Sequence, residues 1–311
     1  MKNELITSSA IQKNNKIKNT KYYEKKKRKA KIDYCNICGK LLPLTWDHVP
    51  PKFCFNNGNV KYNSMMEFHK DNYKKEYSPN GIKYRTICAD CNNRILGAAY
   101  DREYKKLVDI LYSLYTSKEK LSQYITIKEL KINQIARAIV GHLLAAREDY
   151  VTGKIEEELR HFLLDETALP PKDLKLLYYS YPYNTVMIVR DVFPFKFDKN
   201  EYKAPNCLIS CINSFPLAFI LASDCNDTCG LYDMFELCTQ NINDEVDIKI
   251  DLLSYLFPNH KESRHPFWPC NVSDEKTGVS LILTSETGCN DSILITNRNI
   301  KKDSTIQIKK L

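Results

Sequence analysis

Four cysteines stand in two pairs of identical spacing, Cys35-Asn36-Ile37-Cys38 and Cys88-Ala89-Asp90-Cys91. Two intervening residues let both thiolates of a pair reach one tetrahedral ion, and four thiolates form a closed, structural zinc site. Gly39, directly after the first pair, frees the backbone to turn beneath the metal. A redox reading would need a strand opening into a helix in a thioredoxin-like unit, and no such pattern surrounds Cys35. The pairs lie about fifty residues apart, so something folded must sit between them.

That interval contains Thr45-Trp46-Asp47-His48-Val49-Pro50-Pro51-Lys52. A histidine beside a carboxylate has two readings: a structural His–Asp contact, or a base that titrates near neutral pH next to a metal-ligating oxygen. Asn92 directly follows Cys91 and adds a side-chain amide oxygen, with Asn93 as the alternative. One histidine, one carboxylate and one amide around a cation could cleave a phosphodiester, because the cation stabilises the charge on the phosphorane and on the leaving oxygen.

The order C-x-x-C, then Asp47-His48-Val49-Pro50-Pro51, then C-x-x-C followed by Asn92-Asn93 resembles the HNH endonuclease family in its zinc-stapled form. The resemblance covers residues 34–106. It implies two antiparallel strands and a helix wrapped about one catalytic divalent ion. The first strand would end at Asp47-His48, the second would run from about Ile82 to Ile87, and the helix would start near Ala89. It also implies that His48 is the general base, and that Asp47 and Asn92 ligate Mg²⁺ or Mn²⁺. Lys52, Lys83, Arg85 and Arg94 would contact nucleic acid. DNA is the expected substrate, with RNA open.

One position departs from the family pattern. The middle asparagine usually stands about five residues before the second cysteine pair, where this chain has Lys83, which cannot accept a hydrogen bond. Asn80 or Asn63 could substitute. The loop from Phe53 to Gly81 is rich in Lys, Tyr and Asn, as suits backbone contacts or a plain surface insertion. His69 within it reads as a surface residue, and Asp101 as a residue that packs or pairs structurally.

Charge shows what surrounds this module. Residues 1–33 hold eleven Lys/Arg against three Asp/Glu, including the run Lys25-Lys26-Lys27-Arg28-Lys29, and residues 34–106 carry +5. The remainder, 107–311, is −5. A basic tail at 1–33 and a basic module at 34–106 point to a polyanion partner, which the acidic 107–311 part was not built to coat. No apolar run is long enough to cross a membrane, and no secretory leader is visible, so the expected location is cytoplasmic.

The positioning elements follow from periodicity. Residues 104–121, 128–147 and 153–165 read as helices, the second through Ile132, Ile135, Ala136, Ile139, Val140, Leu143 and Leu144. From about residue 174 the pattern changes to short strands at Val186–Val189, Cys207–Ile212, Leu217–Leu221, Val246–Ile250, Val279–Leu283 and Ile293–Ile295. The fold class is therefore α+β: a small zinc-bound module, a helical connector and a mostly antiparallel C-terminal part. Of the other cysteines, the Cys225…Cys229 spacing lacks a matching pair, and these thiols read as core residues. His142 reads as structural, and His260 and His265 as parts of a packed loop.

The expectation is a metal-dependent endonuclease whose 107–311 part controls activity through an activating ligand or protein partner, with oligomerisation open. By analogy, HNH modules fused to larger partners occur in phage-defence and mobile-element systems. The alternative is a non-catalytic, zinc-dependent nucleic-acid-binding adaptor.

Overall fold

The computed structural model describes residues 31–58, 60–62, 76–182, 185–192, 209–223, 231–254, 285–286 and 300–309. Several expectations lie outside these residues: the basic run 25–29, Asn63, His69, the strands at 279–283 and 293–295, His260, His265, and Cys207, Cys225, Cys229, Cys270 and Cys289.

The chain opens with β1 (Ile32–Tyr34) and β2 (Leu41–His48), followed by a short 3-10 turn at Lys52–Cys54. A small hairpin, β3 (Val60–Tyr62) with β4 (Glu76–Ser78), leads to β5 (Lys83–Cys88). Strands β1, β2 and β5 form an antiparallel sheet in that order. A π-helix, Cys91–Tyr100, then runs directly into α1 (Asp101–Thr116). The Asp101 N–H donates to the carbonyl of Leu96, five residues back, which marks the junction.

Next come β6 (Leu121–Leu130), α2 (Ile132–Ala145) and α3 (Lys154–Leu164). The helix expected over 128–147 starts four residues late, because 121–130 is a strand. Ile125, Ile127 and Leu130 are buried and pair with Ile250, Ile248 and Val246. The alternation of Ile125 and Ile127 with Thr126 and Lys128 is a period of two, which the stronger helical pattern after Ile132 obscured. Every residue of α2 except Gln134 is buried, as befits a helix that is apolar nearly all round.

The remaining strands are β7 (Leu174–Ser180), β8 (Thr185–Val192), β9 (Ile209–Ser214), β10 (Leu217–Ser223), β11 (Tyr232–Asp233), β12 (Val246–Asp251), β13 (Ser285–Glu286) and β14 (Ile300–Ile308). Six of them form an antiparallel sheet in the order β11-β7-β10-β9-β8-β13. In the sheet β12-β6-β14, β14 runs parallel to β6, the exception to an otherwise antiparallel arrangement among the described residues. The fold is α+β, as the composition of its elements predicts.

One contiguous apolar cluster runs from Cys35, Ile37 and Ile87 through Leu96, Leu107, Ile139 and Leu143 to Phe219, Ile250 and Ile300. The cysteine-bearing strands therefore share their core with α2 and the larger sheet. Arg137, fully buried on α2, donates to the Asp165, Glu166 and Ala168 carbonyls and lies 4.2 Å over the Phe162 ring. It satisfies the carbonyl-rich end of α3, where a cation is most favourable.

Candidate metal-binding and phosphodiester site

The sulfurs of Cys35, Cys38, Cys88 and Cys91 all lie within 4.8 Å of one another, so these residues could hold a metal ion such as zinc. The Cys38 and Cys88 sulfurs are 3.9 Å apart. Zn–S bonds of about 2.3 Å in a tetrahedron place sulfurs roughly 3.8 Å apart, so the spacing fits. A hydrogen bond from Cys91 holds the Cys35 thiol down at about 5, while burial pushes Cys38 up to about 11. Binding a metal here would ionise all four thiols, and the cation between them would offset the repulsion of the thiolates. Gly39 adopts φ +68° at the turn, as its position after the first pair implies.

The knuckle is bonded to the C-terminal end of α2. Asn36 donates through its amide to the carbonyls of Leu144 (3.1 Å) and Arg147 (2.7 Å), and Thr86 donates to that of Ala145 (2.6 Å). Arg160 of α3 donates to the Asn36 carbonyl at 2.8 Å. The last carbonyls of a buried helix, which have no partner inside the helix, thus find donors on the cysteine-bearing strands.

His48 ends β2, opposite Lys83 of β5. Its Nε2 lies 3.1 Å from the backbone carbonyl of Asn80. A carbonyl only accepts, so Nε2 carries the proton and, in the neutral ring, Nδ1 carries the lone pair. Burial lowers the pKa of His48 below the ordinary imidazole value, and the charges of Lys83 and Lys52 lower it further. The ring is therefore neutral at pH 7 with a fixed tautomer, as a general base requires.

A local frame holds that carbonyl in place. Asn56, buried, donates to the carbonyls of Pro50 (2.6 Å) and Ile82 (3.0 Å) and accepts from the Ile82 N–H (2.7 Å). Gly81 has φ +72°, and a Cβ there would meet the Asn56 carbonyl oxygen at 2.2 Å. Asn80, one of the two asparagines proposed to stand in for the missing middle one, contacts His48 through its backbone carbonyl; the other, Asn63, lies outside the described residues.

Asp47 points the other way. Its side chain is buried, with Oδ2 3.3 Å from Nδ1 of His142 on α2. The Nε2 of His142 lies 3.0 Å from Oδ1 of Asp101, at the start of α1. Burial opposes charge on His142, but the carboxylates of Asp101 and Asp47 outweigh it and hold the ring's pKa up at about 10. His142 and Asp101, each read from sequence as structural, are thus joined to Asp47 in one buried chain. Their separation of 41 and 95 residues from their partners left no local pattern that could have shown it.

Asn92 donates from its amide nitrogen to the Thr45 hydroxyl and the Trp46 carbonyl, each at 3.1 Å. These bonds leave its oxygen for another partner. Of the expected nucleic-acid contacts, Lys52 and Lys83 flank His48 closely enough to act on its pKa. Arg85 donates to the Leu44 carbonyl at 3.1 Å and lies over exposed Trp46. Arg94 pairs with Asp90 one turn away on the surface. Among the described residues, Cys54 and Cys211 are buried, and no second group of three or more cysteines, histidines or carboxylates is placed to share one ion.

No protein-family model matches this chain, and neither does any curated protein or any solved structure. No helix among the described residues is long and apolar enough to cross a membrane.

Proposed function

We propose that this protein is a metal-dependent endonuclease of the HNH type, acting on DNA, with His48 as its general base. The observation that carries the reading is the His48–Asn80 contact: it fixes the protonated nitrogen and presents the other as a lone pair, at the end of a strand in a cysteine-stapled ββ–helix unit. In this reading zinc fills the four-cysteine site and holds β2 against β5. Nδ1 of His48 takes the proton of the attacking water, while Lys52 and Lys83 attract the phosphate.

Asp47 and the oxygen of Asn92 would hold a divalent ion such as Mg²⁺ or Mn²⁺. The donor chemistry of both suits such an ion: Asp47 offers a carboxylate, although its Oδ2 faces His142 at 3.3 Å, and only the amide nitrogen of Asn92 is used by β2, which leaves its oxygen. The ion, when bound, supplies the positive charge that stabilises the phosphorane and the leaving oxygen. The part after residue 106 would control activity through a ligand or protein partner.

The test is cleavage of a DNA duplex with Mg²⁺ or Mn²⁺. His48→Ala should lose about 100-fold or more in rate, the scale of a general base, with zinc content unchanged. Normal cleavage by that variant would end this assignment.

A second reading, a non-catalytic nucleic-acid-binding adaptor, draws support from the burial of Asp47 and its pairing with His142. It requires salt-sensitive DNA binding with no cleavage under any divalent ion.

A further inference from the structure

We infer that Trp46 is a stacking platform for the nucleobase of an unpaired nucleotide beside His48, so that the DNA this protein takes has a single-stranded segment at the site. The inference rests on the reading above of this unit as one that acts on DNA, and deepens it by naming the form of the substrate.

The register of β2 on β5 sets the face. Side chains alternate along a strand, so Trp46 and His48 share one face. Asp47, between them, turns to the other face, where it meets His142. Lys83 stands directly opposite His48, and residues directly opposite in an antiparallel pair project to the same side. Next to this pair β5 carries one residue more than β2. Thr45 pairs with Ile87 and Asp47 with Tyr84, so Arg85 and Thr86 together oppose Trp46. A bulge of this kind re-aims a side chain. Thr86 turns inward and bonds the Ala145 carbonyl, while the Arg85 guanidinium lies 5.8 Å from the centre of the Trp46 ring. One face thus carries the candidate general base, an aromatic ring and two cations.

Trp46 is 49% exposed, which leaves room for a flat ligand. A lone exposed apolar side chain is ordinary, but this one is braced. Asn92 donates to its carbonyl at 3.1 Å, and Arg85 is itself fixed by its bond to the Leu44 carbonyl, also 3.1 Å. A ring held in this way loses little freedom when a ligand stacks on it. The surrounding charge selects the ligand. Lys83 and Arg85 suit the phosphates of a strand and the indole suits the π-face of a nucleobase, the combination by which single strands are bound. In a duplex the bases stack on one another, and extruding one costs a few kcal/mol. An already unpaired nucleotide is therefore the better ligand. Two residues of strand, about 6.7 Å, separate Trp46 from His48, so a nucleobase on the indole leaves a neighbouring phosphate within reach of the imidazole.

The experiment measures binding by the full chain, with zinc retained and no other divalent ion added. The probes are a short single-stranded DNA, the same sequence as a blunt duplex, and the single strand with its bases removed. Trp268, the other tryptophan of the chain, is replaced by Phe so that indole fluorescence reports Trp46 alone. The single strand should quench that fluorescence and bind more tightly than the duplex. The base-free strand, which keeps every phosphate, should do neither. Trp46→Ala should weaken single-strand binding about 10-fold, within the range for loss of one stacked base, and Trp46→Phe should recover most of it. Zinc content and the thermal transition report whether each variant is folded, and the quenching needs no change at Trp46. Single-strand binding without quenching, or binding that Trp46→Ala leaves unchanged, overturns the platform and leaves the nuclease reading standing. Quenched binding with no cleavage once Mn²⁺ is added keeps the platform and moves the unit to the adaptor reading. No binding of any of the DNAs overturns both.

Discussion

His48 is held by residues that have no chemistry of their own. Its Nε2 rests on the Asn80 carbonyl, and the next residue, Gly81, lies against Asn56 so closely that no side chain fits. Gly81→Ala should therefore act twice. A left-handed backbone costs a non-glycine residue about 1–3 kcal/mol, and the new Cβ would collide with a backbone oxygen that cannot step aside. We expect a loss of more than about 2 kcal/mol in urea unfolding; a midpoint equal to wild type would mean that this frame does not hold the loop. The candidate base itself was legible in the sequence, because Asp47-His48 stands between two cysteine pairs. Its brace was not: Asn56 works through Pro50 and Ile82, 6 and 26 residues away, and an asparagine in a polar loop carries no signal of that. The same holds for His142, whose partners belong to other elements.

At the scale of elements, the cysteine knuckle and α2 complete one another. The helix ends with carbonyls that nothing within it can satisfy: the amide of Asn36 meets that of Leu144, and that of Arg147 just past the helix, while Thr86 meets that of Ala145. Asn36→Ala keeps all four cysteines but strips one buried and one part-buried carbonyl of their donor. Each such loss costs about 1–3 kcal/mol, so the variant should melt measurably lower in a calorimeter while binding zinc in unchanged stoichiometry. An unchanged melting temperature would show that water replaces the amide at no cost. Close packing continues along the same helix: a Cβ on Gly141 would meet Leu96 of the π-helix at 2.2 Å. The sequence pattern announced α2 and α3 through their apolar spacing, and it announced β10 and β12 through run length and alternation. It hid β6 because a ten-residue strand with only Ile125, Ile127 and Leu130 facing inward directly precedes a much stronger helical signal. What makes β6 a strand is its pairing with β12 and β14, more than a hundred residues further on.

For the whole molecule, charge and core divide the chain differently. Charge sets residues 1–106 apart from an acidic remainder. The apolar core does not: Cys35, Ile37 and Ile87 belong to the same buried cluster as Leu143, Phe219 and Ile300. A metal at the four cysteines would then stabilise more than the strands that carry it. Zinc binding contributes roughly 10–16 kcal/mol in small zinc-finger peptides, about the whole stability of an ordinary domain. Without the ion, nothing ties the four thiols together, Asn36 is free to leave the end of α2, and the helix loses donors to its last carbonyls. Chelation should therefore expose α2, far from the sulfurs in sequence. Amide hydrogen exchange checks this: after treatment with a strong zinc chelator, residues 135–145 should lose protection together with 35–48 and 83–91. Loss confined to the two cysteine-bearing segments would mean that the knuckle is a local clamp, and that α2 and the larger sheet hold their structure on their own.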